Sequence, residues 1–95
     1  MSTKRDAYIA RMKVQLDDLN EKLNDVETKA KAVKADVKDK YDEQLVKLRA
    51  QSKVAVAKFD QVKASGEDSW DAMVVEMERV REAFTHSFNY FKSQL

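Results

Sequence analysis

The stretch Asp36-Val37-Lys38-Asp39-Lys40-Tyr41-Asp42 decides how many helices this chain has. Read as helix, it joins two apolar series into one rod; read as a break, it divides the molecule into three helices of roughly 25 to 30 residues. It holds no Gly, Pro, Asn or Ser, the residues that supply turn geometry. Acid-before-base pairs four residues apart run through and around it: Asp18 with Lys22, Asp25 with Lys29, Glu27 with Lys31, Asp36 with Lys40, and Glu43 with Lys47. Each such pair supports a helix by about 0.2 to 0.5 kcal/mol. The reading is one helix from about residue 3 to residue 64, roughly 90 Å long at 1.5 Å per residue.

Upstream of the stretch, Met12, Leu16, Leu19, Leu23, Val26, Ala30, Val33 and Val37 follow one another in steps of 4, 3, 4, 3, 4, 3 and 4. That alternation is the seam of a coiled coil. Downstream, Tyr41, Leu45, Leu48, Ser52, Ala55, Phe59 and Val62 alternate in the same way. Only the join has three successive four-residue steps, which unwind a left-handed supercoil locally without ending the helix.

The strong punctuation is Ser65-Gly66-Glu67-Asp68-Ser69. Gly66 suits the left-handed position that closes a helix, and the neighbouring serines and acids suit the cap of the next one. An uninterrupted helix through Gly66 would lose only about 1 kcal/mol against Ala, but the cluster of turn formers favours a reversal. Beyond it Trp70, Met73, Met77, Val80, Phe84, Phe88 and Phe91 form the apolar face of a second helix, about residues 68–94.

If the chain reverses at Ser65 and Gly66, residues equidistant from the turn face each other. The expected hairpin core is then Tyr41, Leu45, Leu48, Ala55, Phe59 and Val62 against Trp70, Met73, Met77, Val80, Phe84, Phe88 and Phe91. Bulky residues oppose small ones in its middle, as close packing requires. Charge agrees: residues 67–95 carry six acids and three bases, and residues 1–66 carry eleven acids and fifteen bases.

The second helix is shorter than the first, so it leaves Leu16, Leu19, Leu23, Val26, Ala30 and Val33 uncovered. Burying each leucine is worth roughly 1.5 to 3 kcal/mol. The sequence therefore predicts an all-α, single-domain antiparallel hairpin spanning residues 1–95 that self-associates as a coiled coil through that seam. A staggered overlap of such seams would not close and would give a filament.

Composition excludes most other classes. The chain has 95 residues, one Gly, no Pro and no Cys, 37% charged and 43% hydrophobic residues, and a net charge of +1. Without cysteine there is no disulfide framework, thiolate metal site or Cys nucleophile. A phosphate-binding Gly-rich loop lacks its glycines, and no uncharged run approaches the length of a membrane span. The N-terminus carries Lys4, Arg5, Asp6 and Arg11 without the apolar core of a secretory signal, so a cytoplasmic protein is expected.

Nothing in the sequence assembles a reaction centre. His86 stands alone, with no His or Cys four residues away to make a metal site. Asp17, Asp18, Glu21 and Asp25 flank the leucine seam at solvated positions. Lys29, Lys31, Lys34, Lys38 and Lys40 scatter around the helix and are interrupted by Asp36 and Asp39. A nucleic-acid binder has a clearer basic excess. No enzyme, cofactor, metal or nucleic-acid partner is expected, and the expected partner is a second copy of the chain.

Five of the eight aromatics, Trp70, Phe84, Phe88, Tyr90 and Phe91, fall in the last 26 residues. An alternative use of such a helix is reversible binding to a lipid or storage-granule surface. Interfacial helices carry Lys and Arg on their polar face, whereas this one carries Glu67, Asp68, Asp71, Glu76, Glu78 and Glu82. Contact with protein is the favoured reading.

The opening residues 1–13, the Ala/Lys/Asp middle, and Ala64-Ser65-Gly66-Glu67-Asp68-Ser69-Trp70-Asp71-Ala72-Met73 followed by Ala83-Phe84 resemble a group of short bacterial coiled-coil proteins of unassigned function. The resemblance implies a bacterial helical protein and transfers no catalytic residues.

Overall fold

Apolar residues at alternating three- and four-residue steps give each segment one buried stripe, and a stripe must be covered by another helix. The computed structural model describes residues 3–32 and 35–94. It holds three helices: α1, Thr3–Ala30; α2, Ala35–Ala64; and α3, Glu67–Gln94. No strand occurs among the described residues. The helices lie side by side in a body 53 × 18 × 17 Å.

Cross-helix contacts fix the directions. Arg5 meets the Lys63 carbonyl, Asn20 meets Ser52, and Asn24 and Glu27 meet Arg49, so α1 runs antiparallel to α2. Lys58 lies beside Glu76, and Tyr41 lies edge-on to Phe91 at 5.7 Å, so α2 runs antiparallel to α3. All three helices feed one core. Met12, Leu16, Leu23, Val26 and Ala30 come from α1; Leu45, Leu48, Ala55, Phe59 and Val62 from α2; Met77, Phe84, Phe88 and Phe91 from α3. Leu19, Tyr41, Trp70, Met73 and Val80 pack against it partly buried.

The expected continuous helix from residue 3 to residue 64 is corrected here. Helix α1 ends at Ala30, Lys31 and Ala32 form a turn, and helix resumes at Ala35. The last turn of α1 tightens as Ala32 N–H donates to the Lys29 carbonyl, 3.1 Å, three residues back. The seam expected to be left uncovered within one chain is covered there: Leu16, Leu23, Val26 and Ala30 are buried, Leu23 and Ala30 completely, and Leu19 partly. Val33 lies outside the described residues.

The physical reason is a comparison of magnitudes. Ion pairs along the join are worth a few tenths of a kcal/mol each, whereas each large apolar side chain brought out of water is worth roughly 1.5 to 3 kcal/mol. Folding α1 back covers Met12, Leu16, Leu23 and Val26 together. The ion pairs also redistribute: Asp18 holds Lys22 at 3.0 Å, but Glu27 pairs with Arg49 of α2.

At the α2–α3 reversal, Ser65 N–H and Oγ both donate to the Val62 carbonyl, at 3.2 and 2.8 Å, and Ser69 N–H donates to the Gly66 carbonyl, 3.3 Å. These bonds close α2 and open α3, with Glu67 and Asp68 placed favourably in the first turn of α3. Gly66 does not take the expected left-handed conformation, since its φ is not positive. The serines supply the closure, so the glycine's freedom is unused.

Candidate functional site

Helix α1 covers one side of the α2–α3 pair, and its attachment is polar as well as apolar. Arg49 donates through Nε and Nη2 to Glu27 Oε2 at 3.1 and 2.8 Å, and through Nη2 to Asn24 Oδ1 at 2.9 Å. Ser52, a buried hydroxyl in the α2 core stripe, donates to Asn20 Oδ1. Tyr8 donates to Glu78 Oε1 on α3 at 3.1 Å, while Arg81 grips Glu78 Oε2 at 3.1 and 2.8 Å. Burial pushes the Tyr8 hydroxyl up to about 12 from 10.0, with the hydrogen bond and negative charge of Glu78 adding to the effect.

One end of the bundle is closed by stacked side chains. Trp70 and Tyr8 meet edge to face at 5.6 Å, the Arg5 guanidinium lies 4.7 Å above the indole, and that of Arg11 lies 5.8 Å from the phenol ring. Arg5 Nη2 also donates to the Lys63 carbonyl at 2.7 Å, satisfying one of the bare carbonyls at the end of α2. A cleft of about 320 Å³ opens beside this cluster. Tyr8 and Trp70, which line it, join α1 to α3 through their edge-on rings and the Tyr8–Glu78 bond.

The other side of the α2–α3 pair, away from α1, is open. A cleft of about 260 Å³ between the two helices is walled by Ala50, Val54, Val80 and Ala83. It continues into a second of about 390 Å³ bordered by Lys47, His86, Ser87 and Tyr90. Gln51 lines both, and its Oε1 is buried with no hydrogen-bond partner among the described residues. A buried unpaired amide oxygen costs about 1 to 3 kcal/mol. Val54 is 54% exposed and Tyr90 59%. At one end of the face, Lys58 holds Glu76 at 3.4 Å.

This face was not anticipated from the heptad steps. Its signal is a second stripe beside the buried one, Val46, Ala50, Val54 and Ala57 on α2 with Ala72 and Ala83 on α3. Alanine is neutral in helical patterning, so the stripe is silent beside leucines and phenylalanines. The other residues singled out in the sequence are dispersed. His86, Asp17, Asp18, Glu21 and Asp25 are exposed, Asp17 pairs with Lys13 at 2.7 Å, and no metal-holding group of acids and histidines occurs among the described residues. Lys29, Lys31, Lys38 and Lys40 are exposed, and Lys34 lies outside the described residues.

Comparison of the chain with protein-family models, with curated proteins and with solved structures finds no match. No helix among the described residues is long and apolar enough to cross a membrane.

Proposed function

We propose that this chain is a non-enzymatic helical interaction module whose working surface is the outer face of α2 and α3. The leucine seam builds the scaffold, and the outer face does the binding. The observation that carries this reading is the open cleft between α2 and α3, walled by Ala50, Val54, Val80 and Ala83, whose small side chains let another backbone come close and which leaves Val54 54% exposed. A helix laid in the cleft would bury Val54 and Val80, the helix-in-groove mode of recognition.

The experiment is site-specific photo-crosslinking with a benzophenone amino acid at position 83, on the face, and at position 22, where exposed Lys22 lies on α1. Discrete adducts from position 83 and none from position 22 are expected. Equal yields from both positions would refute the reading.

A second reading, reversible binding to lipid or granule surfaces, draws on the division of the bundle. α1 is joined mainly to α2, and swinging it away would expose Met12, Leu16, Leu23 and Val26 as one apolar strip. Flotation with vesicles of phosphatidylcholine and phosphatidylglycerol tests it: co-flotation with loss of the α1–α2 contacts would favour this reading over the first.

A further inference from the structure

Resting on the reading of the outer face as a docking surface, we propose that its occupant is a second copy of this chain. The two copies meet face to face about a two-fold axis running along the bundle, so that α2 of each lies over α3 of the other. The argument begins with heights along the bundle. Lys58 with Glu76 and Tyr41 with Phe91 mark residues of α2 and α3 at the same level. Interpolating between them sets Ala50 level with Ala83, and Lys47 level with His86 and Ser87. A two-fold parallel to the helices keeps levels and exchanges α2 for α3. It therefore sets Ala50 over the partner's Ala83, twice.

That placement is favourable at each level. Two exposed alanines at the centre allow the backbones to approach closely, and Val54 and Val80 fill the space beside them. Gln51 lines the cleft between the helices and so lies near the axis. Lys58 comes over the partner's Glu76, turning the 3.4 Å pair in each chain into a ring of four alternating charges. At the far end, Lys47 comes over the partner's His86 and Tyr90, where an ammonium and an exposed phenol ring attract.

The helices are complementary as wholes. α2 carries seven bases against five acids, and α3 three bases against six acids. Exchanging α2 for α3 across the axis therefore brings opposite signs together, whereas laying α2 over α2 would oppose like charges. The size of the face sets the strength. The contacts run from Lys47 to Lys58 on α2 and from Glu76 to Tyr90 on α3, about 18 to 22 Å, and the body is 18 Å wide. Two copies then bury about 700 Å² in total, below the size of stable interfaces, so the dimer is weak and reversible.

Sedimentation equilibrium from about 5 to about 500 µM, the range for so small an interface, tests the proposal on the full chain. The expected mass rises from 11.0 kDa towards twice that value. Ala83→Arg is expected to remain a monomer throughout with unchanged helix content. Val14→Arg, on an α1 valine 68% exposed, is expected to behave as the parent. Mixing Ala50→Glu with Ala83→Arg is expected to restore association, because the new carboxylate meets the new guanidinium. A folded parent chain that stays monomeric over the range overturns the proposal, as does an Ala83→Arg mass equal to the parent's. A monomeric parent that still gives position-83 adducts of another mass overturns the second copy alone and leaves the docking reading standing.

Discussion

Arg49 of α2 holds Glu27 of α1 through two nitrogens, at 3.1 and 2.8 Å, and thereby ties the helix that was expected to extend away back onto its neighbour. The pair is partly exposed, so its contribution is small, within about 0.2 to 1 kcal/mol, with the bond to Asn24 adding a similar amount. Arg49→Ala is expected to destabilise the chain by about 1 kcal/mol, lowering Tm by about 4 to 8 °C for a domain of this size. A double-mutant cycle with Glu27→Ala isolates the pair, and a coupling of zero would detach it from α1 docking.

Leu23 is fully buried within one chain. Leu23→Ala should cost about 2 to 5 kcal/mol in urea denaturation, as for other buried leucines. The size of the loss should be the same at about 2 µM and about 200 µM protein, because the neighbours of Leu23 belong to the same molecule. A loss that shrinks with concentration would return Leu23 to an interface between copies.

Tyr8 gives the fold an alkaline limit. Its hydroxyl keeps its proton in the folded chain up to about 12, against 10.0 when unfolded. The stabilisation is complete below pH 10 and is lost as pH rises from 10 towards 12, because there the unfolded chain releases the proton more readily. Tyr8→Phe should remove this component, so the Tm difference between parent and variant narrows as pH climbs through that window. A difference that is constant across it would count against the burial of the Tyr8 hydroxyl beside Glu78.

Gly66 tolerates a side chain. Its φ is not positive and a Cβ there would meet nothing within 4 Å. Gly66→Ala is expected to stabilise by about 0.4 to 1 kcal/mol through the unfolded chain, measured as a raised Tm. A clear destabilisation would mean that the turn needs glycine after all.

Heptad spacing marks the inward face of each helix because it is a local property. A residue four places from a leucine and three from the next lies on the same stripe whatever the helix packs against. Which molecule supplies the cover is decided by distant contacts. Ala30, Lys31 and Ala32 suit a rod or a reversal about equally, and the choice lies in the apolar cover that α1 finds far along the chain, as where Tyr8 meets Trp70 across a gap of 62 residues. The outer face was hidden for another reason: Ala50 and Ala83 matter through what they lack, and a short side chain is not conspicuous in a helical pattern.

The uneven attachment of α1, broad against α2 and narrow against α3, has a dynamic consequence. Opening free energies differ along a native chain, and the unit with the fewest packed neighbours opens first. In amide hydrogen exchange, α1 should lose protection ahead of α2 and α3, which then persist as a paired unit. Solvent would reach the leucine ridge in that partly open form while the opposite cleft kept its shape, separating the molecule into one stable half and one that breathes.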